Sequence, residues 1–465
     1  MSFWDTILQN LPEVAGPQQR RLSFNEKLKW TLIALLLFFI LSLIPLFGLG
    51  ENSLQQFEFL SIILGASFGS VMSLGIGPLV TSSIVLQLLN GAQIVTFDLK
   101  THEGRAHFQA IQKILSIFFV IFEACIYICM GGLAPPSQLA GTPLYFQFQL
   151  LLVLQLFLGG VIVMFMDEVV SKWGFGSGIS LFIAAGVAQQ IFITAFNPLP
   201  SPTNPDIAVG AIPALFQSLS AGDPQTALLK LTSVISTVVV FAVAVYTQAM
   251  KVEIPLSFGM VRGQGIRWPL KFFYTSNIPV ILIAALLANI QLWGRLLDRW
   301  GRPLLGTFTA DGSPVSGLVA LIQPRDITEV LITSGIPGIV RELPSLAVYM
   351  SLMIVGSVIF AIFWMQTANM DARSQADNIM NSGLQIPGFR RDPRVLESIL
   401  SRYIWPLTVM GGAAVGLIAA TADLTGALSR GTGILLAVMI VYNMYEDIAK
   451  QHMMDINPLM RKFVE

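Results

Sequence analysis

The chain has 465 residues, 54% hydrophobic and only 12% charged, with 27 basic and 27 acidic side chains that cancel to zero net charge. A soluble domain carries about 25% charged residues, so this composition excludes an ordinary water-soluble protein and points to a polytopic membrane protein. Total charge says nothing about partners; only its distribution does.

The N-terminus, MSFWDTILQNLPEV, lacks a charged n-region and an apolar h-region, so no cleavable signal is expected. Phe3, Trp4, Ile7, Leu8 and Leu11 share one helical face, which predicts a short amphipathic helix on the membrane, ended by Pro12. A span needs about 20 apolar residues. Ten segments qualify, the second by sharing its depth with the broken stretch before it: Trp30–Leu49, Ile76–Leu89, Ile111–Leu133, Tyr145–Met166, Gly176–Ala195, Ala227–Gln248, Phe272–Trp293, Leu346–Gln366, Tyr403–Ala422 and Gly431–Glu446. Placing 20 of the 27 Lys and Arg on one side makes that side, and both termini, cytoplasmic. Trp30, Trp173, Trp293, Trp364 and Trp405 lie at or near span ends, as an interfacial belt requires.

The expected fold is therefore all-α with ten transmembrane helices. Two sets of five allow an inverted repeat, because an odd-numbered half inserts its copy upside down. The expected organisation is an N-terminal half over 1–195, an external loop, span and cytoplasmic loop over 196–271, and the remaining spans over 272–465. Asn197–Asp223 and Gly294–Leu343 read as external loops. Met250–Lys271 and Asn369–Arg402 read as cytoplasmic loops, basic and punctuated by Gly and Pro. Their charge fits either simple positive-inside topology or a docking surface for an anionic partner such as ribosomal RNA.

The stretch Phe57–Leu89 is apolar yet broken, first at Gly65, Ser67, Gly69 and Ser70 and again at Gly75-Ile76-Gly77-Pro78. Lipid cannot satisfy irregular backbone, which must be enclosed in protein or line a cavity. A re-entrant piece followed by a helix beside a water path is expected. Ile76 and Val80, Phe175 and Ile179, and Ile278 and Ile281 each share a helix face next to an interruption. They suit either a hydrophobic constriction that blocks ions by dewetting or ordinary helix packing. The glycines of Trp173–Gly178 permit close helix approach. Glu123 is an acid within a span, a costly placement with Thr81 and Asn289 as candidate partners, and Gln87 is a further polar group in an apolar run.

No motif supports catalysis. His102-Glu103 is followed by Gly104-Arg105 rather than completing HExxH, the three histidines show no ligand spacing, and Cys125 and Cys129 read as buried thiols. No metal or cofactor is expected. An ion-coupled transporter would show carboxylates in its broken helices, and Gly75–Val80 has none. A passive channel thus stands beside a transporter, ahead of an enzyme.

Longer stretches carry a resemblance: Leu11-Pro12-Glu13-Val14, FNEKLKWT (24–31), LGIGPLVTSSIVLQLL (74–89), DEVVSKWGFGSGISLFIAAG (167–186), KVEIPL (251–256), YTSNIPVIL (274–282) and GTGILLAVMIVYNMYE (431–446). In this order they resemble the SecY family of protein-conducting channel subunits, in its archaeal and eukaryotic branch. The resemblance implies a plug helix at about Phe57–Ser70, including Phe57, Phe59, Leu60, Ile63, Leu64 and Phe68. It implies a pore ring of Ile76, Val80, Phe175, Ile179, Ile278, Ile281 and Leu436, in which aromatic Phe175 departs from the family's aliphatic pattern. A lateral gate would carry Thr81, Gln87, Glu123, Asn277 and Asn289. Ribosome-docking loops would carry Arg262, Arg267, Arg373, Arg390, Arg391 and Arg394. The partners implied are SecE-type (gamma) and beta-type single-span subunits, the ribosome, nascent polypeptides with their signal sequences, the bilayer, and further copies of the heterotrimer. The membrane implied is the plasma membrane, with the endoplasmic reticulum as the alternative.

Overall fold

The computed structural model describes residues 12–17, 22–50, 69–91, 94–95, 97, 102–129, 133–201, 207–258, 265–276, 278–299, 303–308, 314–381, 384–385 and 392–456. Two compact units share the chain: residues 1–210 with 440–465, and residues 211–439.

The first unit holds α1 (Phe24–Leu43), α2 (Gly77–Gly91), α3 (His102–Cys129), α4 (Pro143–Trp173) and α5 (Gly178–Phe196). Helix α1 begins six residues before the predicted span because Ser23 caps it, its hydroxyl accepting from the Glu26 N–H at 3.4 Å. It stops before Pro45, since the residue preceding a proline avoids helical geometry. On α4, Phe146, Leu150, Leu154 and Leu158 recur at four-residue spacing and are exposed, while Leu152, Leu156, Val163 and Val170 are buried. Leaving such side chains in water forgoes about 2 kcal/mol each, so the outer face is one for lipid. The core joins α1, α3, α4 and α5, with Phe38 stacked on Phe182 at 5.0 Å.

The second unit holds α6 (Ala211–Ala221), α7 (Pro224–Ala249), β1 (Lys251–Phe258), β2 (Gly265–Lys271), α8 (Ile278–Arg299), α9 (Gly317–Leu321), α10 (Ile327–Thr367), α11 (Ala372–Asn381), β3 (Leu384–Gln385) and α12 (Pro393–Leu424). Helix α13 (Gly431–Ile456) begins in this unit and ends in the first.

All four segments read as loops hold regular structure: Asn197–Asp223 contains α6, and Asn369–Arg402 contains α11, β3 and the start of α12. The segment read as a basic loop, Met250–Lys271, contains an antiparallel pair, Lys251 opposite Lys271 through Ser257 opposite Gly265, with β3 added on the other side of β1. Alternation places Ile254 and Leu270 inward. Pro255 lies beyond the short β3 pairing and Pro269 lies on edge strand β2, so neither interrupts the three-stranded order β2-β1-β3. Likewise, the long loop ending at Leu343 already contains α9 and the start of α10. Asp326 starts α10 by accepting from the Thr328 and Glu329 N–H groups. The helix then passes a break at Gly335 (φ 65°) and two prolines, Pro337 and Pro344.

Helices occupy most of all ten predicted spans. Among the described residues, seven helices, α3, α4, α5, α7, α10, α12 and α13, are long and apolar enough to cross a membrane by length and composition. Helix α2 has only 15 residues, and α1 carries Glu26, Lys27 and Lys29 in its first turns. The chain is a multi-pass membrane protein.

Candidate channel site

The broken segment is enclosed by its own unit. Val71 N–H donates to Ile44 O at 3.0 Å and Leu46 N–H to Gly69 O at 2.9 Å, tying the turn to the end of α1. Met72 is 2% exposed. A Cβ on Gly159 of α4 would stand 2.0 Å from Val71 O, so only glycine lets α4 approach this backbone. Gly75 has φ +54° and turns the chain into α2. Irregular backbone here is satisfied by protein, as the physics of lipid requires. Ile76, half-buried, packs on the unit's core, and Val80, also half-buried, comes one turn later.

Thr81 of α2 and Glu123 of α3 meet. The Glu123 carboxylate reaches the Thr81 hydroxyl, which also donates to Gly77 O at 2.9 Å. Glu123 Oε2 stands 3.4 Å from where a Gly77 Cβ would be, beside the positive end of α2. Gln87 does something else: its amide donates to Ser83 Oγ at 3.1 Å along its own helix. A buried link that the sequence did not expose joins α2 to α3, Ser82 Oγ to Ser116 Oγ at 2.6 Å.

Ile179 opens α5 and packs on the same core. Phe175 is 3% exposed; its ring lies 5.2 Å from that of Phe24, its N–H donates to Thr31 Oγ1 at 3.1 Å, and the Lys27 ammonium sits 6.0 Å above the ring. Within its unit, this departure from an aliphatic ring position is held by α1. In the second unit, Ile278 and Ile281 lie half-buried in the first turn of α8, and Leu436 half-buried in the second turn of α13. Helix α8 packs closely on α10, where a Cβ on Gly356 would meet Ile283 Cδ1 at 2.5 Å. Beside them runs an apolar groove of ≈ 600 Å³, lined by Ile283, Leu286, Ile290, Val348, Leu352 and Val355.

The basic segments share one base. Ile254 and Leu270 of the sheet, Ala376 and Ile379 of α11, and Leu396, Leu400 and Ile404 of α12 form a single buried cluster. Arg373 and Arg394 are exposed on it, and Arg267 pairs with Glu253 at 3.1 Å. The plug residues Phe57, Phe59, Leu60, Ile63, Leu64 and Phe68, together with Asn277, Arg262, Arg390 and Arg391, lie outside the described residues, as does the Asn289 side chain.

A second feature went unread in the sequence. Residues 12–17 lie as a strap over α3 and α4. Lys113 bonds both Pro12 O and Glu168, and Val14 N–H donates to Glu168 Oε2 at 2.9 Å. Lys172 reaches Glu13 and Val14 O, each at 2.6 Å, and the Trp173 indole donates to Ala15 O at 2.9 Å. The Lys172 bond holds the Glu13 carboxyl below its usual range. Glu13, Lys113, Glu168 and Lys172 border a polar cleft of ≈ 450 Å³.

The SecY family profile matches residues 70–445. The chain belongs to the SecY family. A second profile, the plug domain of Sec61p, matches residues 36–69. Among SecY relatives, the protein translocase subunit SecY of Methanothermobacter thermautotrophicus is 44% identical over 99% of this chain and 98% of its own. That of Pyrococcus furiosus is 44% identical over 97% and 96%. Among solved structures, a protein-conducting channel shares 40% identity with a TM-score of 0.76, covering 97% of this chain and 98% of its own. Sec61 from a canine ribosome–channel complex of the endoplasmic reticulum shares 39%, with a TM-score of 0.74 and the same coverage.

Proposed function

We propose that the chain is the central, non-enzymatic pore subunit of a protein translocation channel, passing unfolded polypeptides across a membrane and releasing apolar segments sideways into lipid. The observation that carries this reading is the protein-enclosed break over 70–77, which delivers half-buried Ile76 and Val80 at the start of α2. Together with Ile179, Ile278, Ile281 and Leu436 they make an aliphatic ring, backed by Phe175. Dispersion contacts are non-directional, so such a gasket fits a chain of any sequence, whereas polar groups would select among side chains. The segment before the break, 57–70, acts as the plug. The α2–α3 and α8–α10 pairs form the gate walls, with Thr81, Glu123, Asn277 and Asn289 as polar contacts and Gln87 on the α2 face. Each CH₂ leaving water for lipid contributes about 0.8 kcal/mol, which drives an apolar segment outward.

The archaeal relatives support placement in a plasma membrane, and the distribution of Lys and Arg supports both termini being cytoplasmic. The channel fold, and the ribosome complex of canine Sec61, support ribosome docking on the sheet and α11–α12 surface. SecE-type and beta-type subunits complete the complex. Reversing charge at Arg390 and Arg391 should weaken ribosome binding roughly tenfold or more at physiological salt and flatten its salt dependence. Lys450→Glu should do neither. Equal losses in a co-sedimentation titration would sink this docking surface.

The decisive experiment is photocrosslinking from position 80 to a ribosome-stalled nascent chain. A crosslink is expected for secretory chains of unrelated sequence, and its absence at positions 76, 80 and 281 alike would reject the polypeptide path.

A further inference from the structure

Most helices here whose caps are visible are capped locally. Ser23 caps α1, Asp223 caps α7, Asp326 caps α10 and Asp392 caps α12, each bonding N–H groups two or three residues ahead. Two helices differ. Ser177 precedes α5 but its side chain makes no cap bond; the N–H of Ile179 donates instead to Asp167 Oδ1 at 2.8 Å, twelve residues back on α4. Arg430 precedes α13 and has no acceptor to offer; the Gly431 N–H donates to Asp423 Oδ1 at 2.8 Å, eight residues back on α12. The other Asp423 oxygen accepts from the Tyr349 hydroxyl at 2.7 Å.

The likeness extends along both connectors. Each carries a glycine in the left-handed region, Gly176 at φ +70° and Gly426 at φ +63°. Each connector leads into a helix that begins on a glycine with no room for a side chain: a Cβ on Gly178 would stand 2.6 Å from Asp167 Cα, and one on Gly431 would stand 2.2 Å from Ala419 O. By the predicted spans, α5 and α13 are the fifth helix of each set of five.

A local cap moves with its own helix and leaves that helix free to slide along its neighbour. A carboxylate borrowed from the preceding helix fixes the two axially, because sliding by even one residue, about 1.5 Å, breaks the bond. Each clasp leads directly to a proposed ring residue: Ile179 itself, and Leu436 five residues on, about 7.5 Å along α13. We propose that Asp167 and Asp423 are paired positioning residues, one in each half, that set the depth of Ile179 and Leu436 and so keep the ring closed to ions. This rests on the ring assignment proposed above.

The test measures resting ion conductance of the purified channel complex in planar bilayers. Losing a charged hydrogen bond shifts an equilibrium by about tenfold or more, so Asp167→Ala and Asp423→Ala, which leave no acceptor, should each raise resting conductance about tenfold. The Glu variants, which keep the charge, should recover part of the seal. Asp223→Ala and Asp392→Ala remove local caps of the same chemistry and should leave conductance unchanged. Ile76→Gly serves as the direct ring control. If it leaks while the Asp167 and Asp423 variants do not exceed the local-cap variants, the clasp is overturned and the ring stands. If Ile76→Gly does not leak either, the ring assignment fails and takes the clasp with it. Should an Ala variant accumulate poorly, a second readout needs only the inserted fraction. Ile179→Cys and Leu436→Cys, with Cys125 and Cys129 replaced by Ala, are labelled with a membrane-impermeant maleimide and scored per inserted molecule. Labelling should quicken about tenfold when the clasp on the same helix is removed; unchanged labelling overturns the proposal.

Discussion

Channels carrying Ile76→Gly, Val80→Gly or Ile281→Gly should conduct ions at rest, with the double variant Ile76→Gly/Ile281→Gly conducting most. A constriction of apolar side chains excludes ions because water withdraws from it, and an ion entering alone would shed its hydration. Glycine removes the apolar surface and widens the passage, so water can stay. Each ~1.4 kcal/mol taken from that barrier raises the ion flux about tenfold. The backbone cost is smaller: glycine within a helix destabilises by about 1 kcal/mol relative to alanine, too little to dismantle α2 when Met72 and Leu79 beside it remain buried. Alanine variants at the same positions separate the two effects, since they keep helix propensity while losing most of the apolar bulk. Leak in the Ala variants intermediate between wild type and Gly is expected. Conductance in bilayers that stays at the wild-type level throughout the series would reject the ring. The Phe175→Ile variant should stay tight, because the Phe175 ring packs on Phe24 within its own unit.

Sequence signals differ in how much of the structure they carry. Apolar runs report spans well, because the bilayer imposes one length and one solvent, and a helix fills most of each predicted span. The break at Gly75–Pro78 was legible because glycine and proline act through the backbone alone. So was the Thr81–Glu123 pairing, since a carboxylate inside a span has few places to go. Helix ends were less legible: the position of α1 turns on Ser23 and on Lys27 and Lys29, whose long side chains let an apolar helix begin in polar surroundings. In Lys251–Phe258 the alternation of Val252, Ile254, Leu256 and Phe258 is intact, but Pro255 between them argues against a strand and disguises it as a loop. The Ser82–Ser116 link was hidden because serine is neutral to the apolar pattern and says nothing about which helix it faces. Lys113 and Lys172 misled in a different way. Read as topology signals, they are accounted for before any partner is sought, and Glu168 becomes the neighbour of Lys113 only after α3 and α4 pack.

That hidden group gives the second large effect. Replacing Lys113 with Met should free the strap of residues 12–17 far more than replacing both Lys113 and Glu168. The Lys113 and Glu168 side chains are only 11% and 18% exposed. Removing one partner of such a pair strands the other charge and costs about 3–5 kcal/mol when water is excluded. Here the polar cleft admits some water, so the lower end applies, and about 3 kcal/mol corresponds to roughly a hundredfold shift in the opening equilibrium. The strap itself supplies the readout. Cleavage before Val14 by thermolysin requires Pro12–Ala15 to leave its bonds to Lys113, Lys172, Trp173 and Glu168, and under fast reclosing the cleavage rate tracks the open population. Lys113→Met should therefore raise the rate roughly a hundredfold. In Lys113→Met/Glu168→Gln no buried charge is left unpaired, and the uncharged amide still offers an acceptor to the Val14 N–H, so most of the increase should vanish. The difference between the double variant and the sum of the singles measures the coupling between the two side chains. If the single and double variants are cleaved at the same rate, the strap is held by Lys172, Trp173 and packing alone, and the Lys113–Glu168 pair contributes nothing to it.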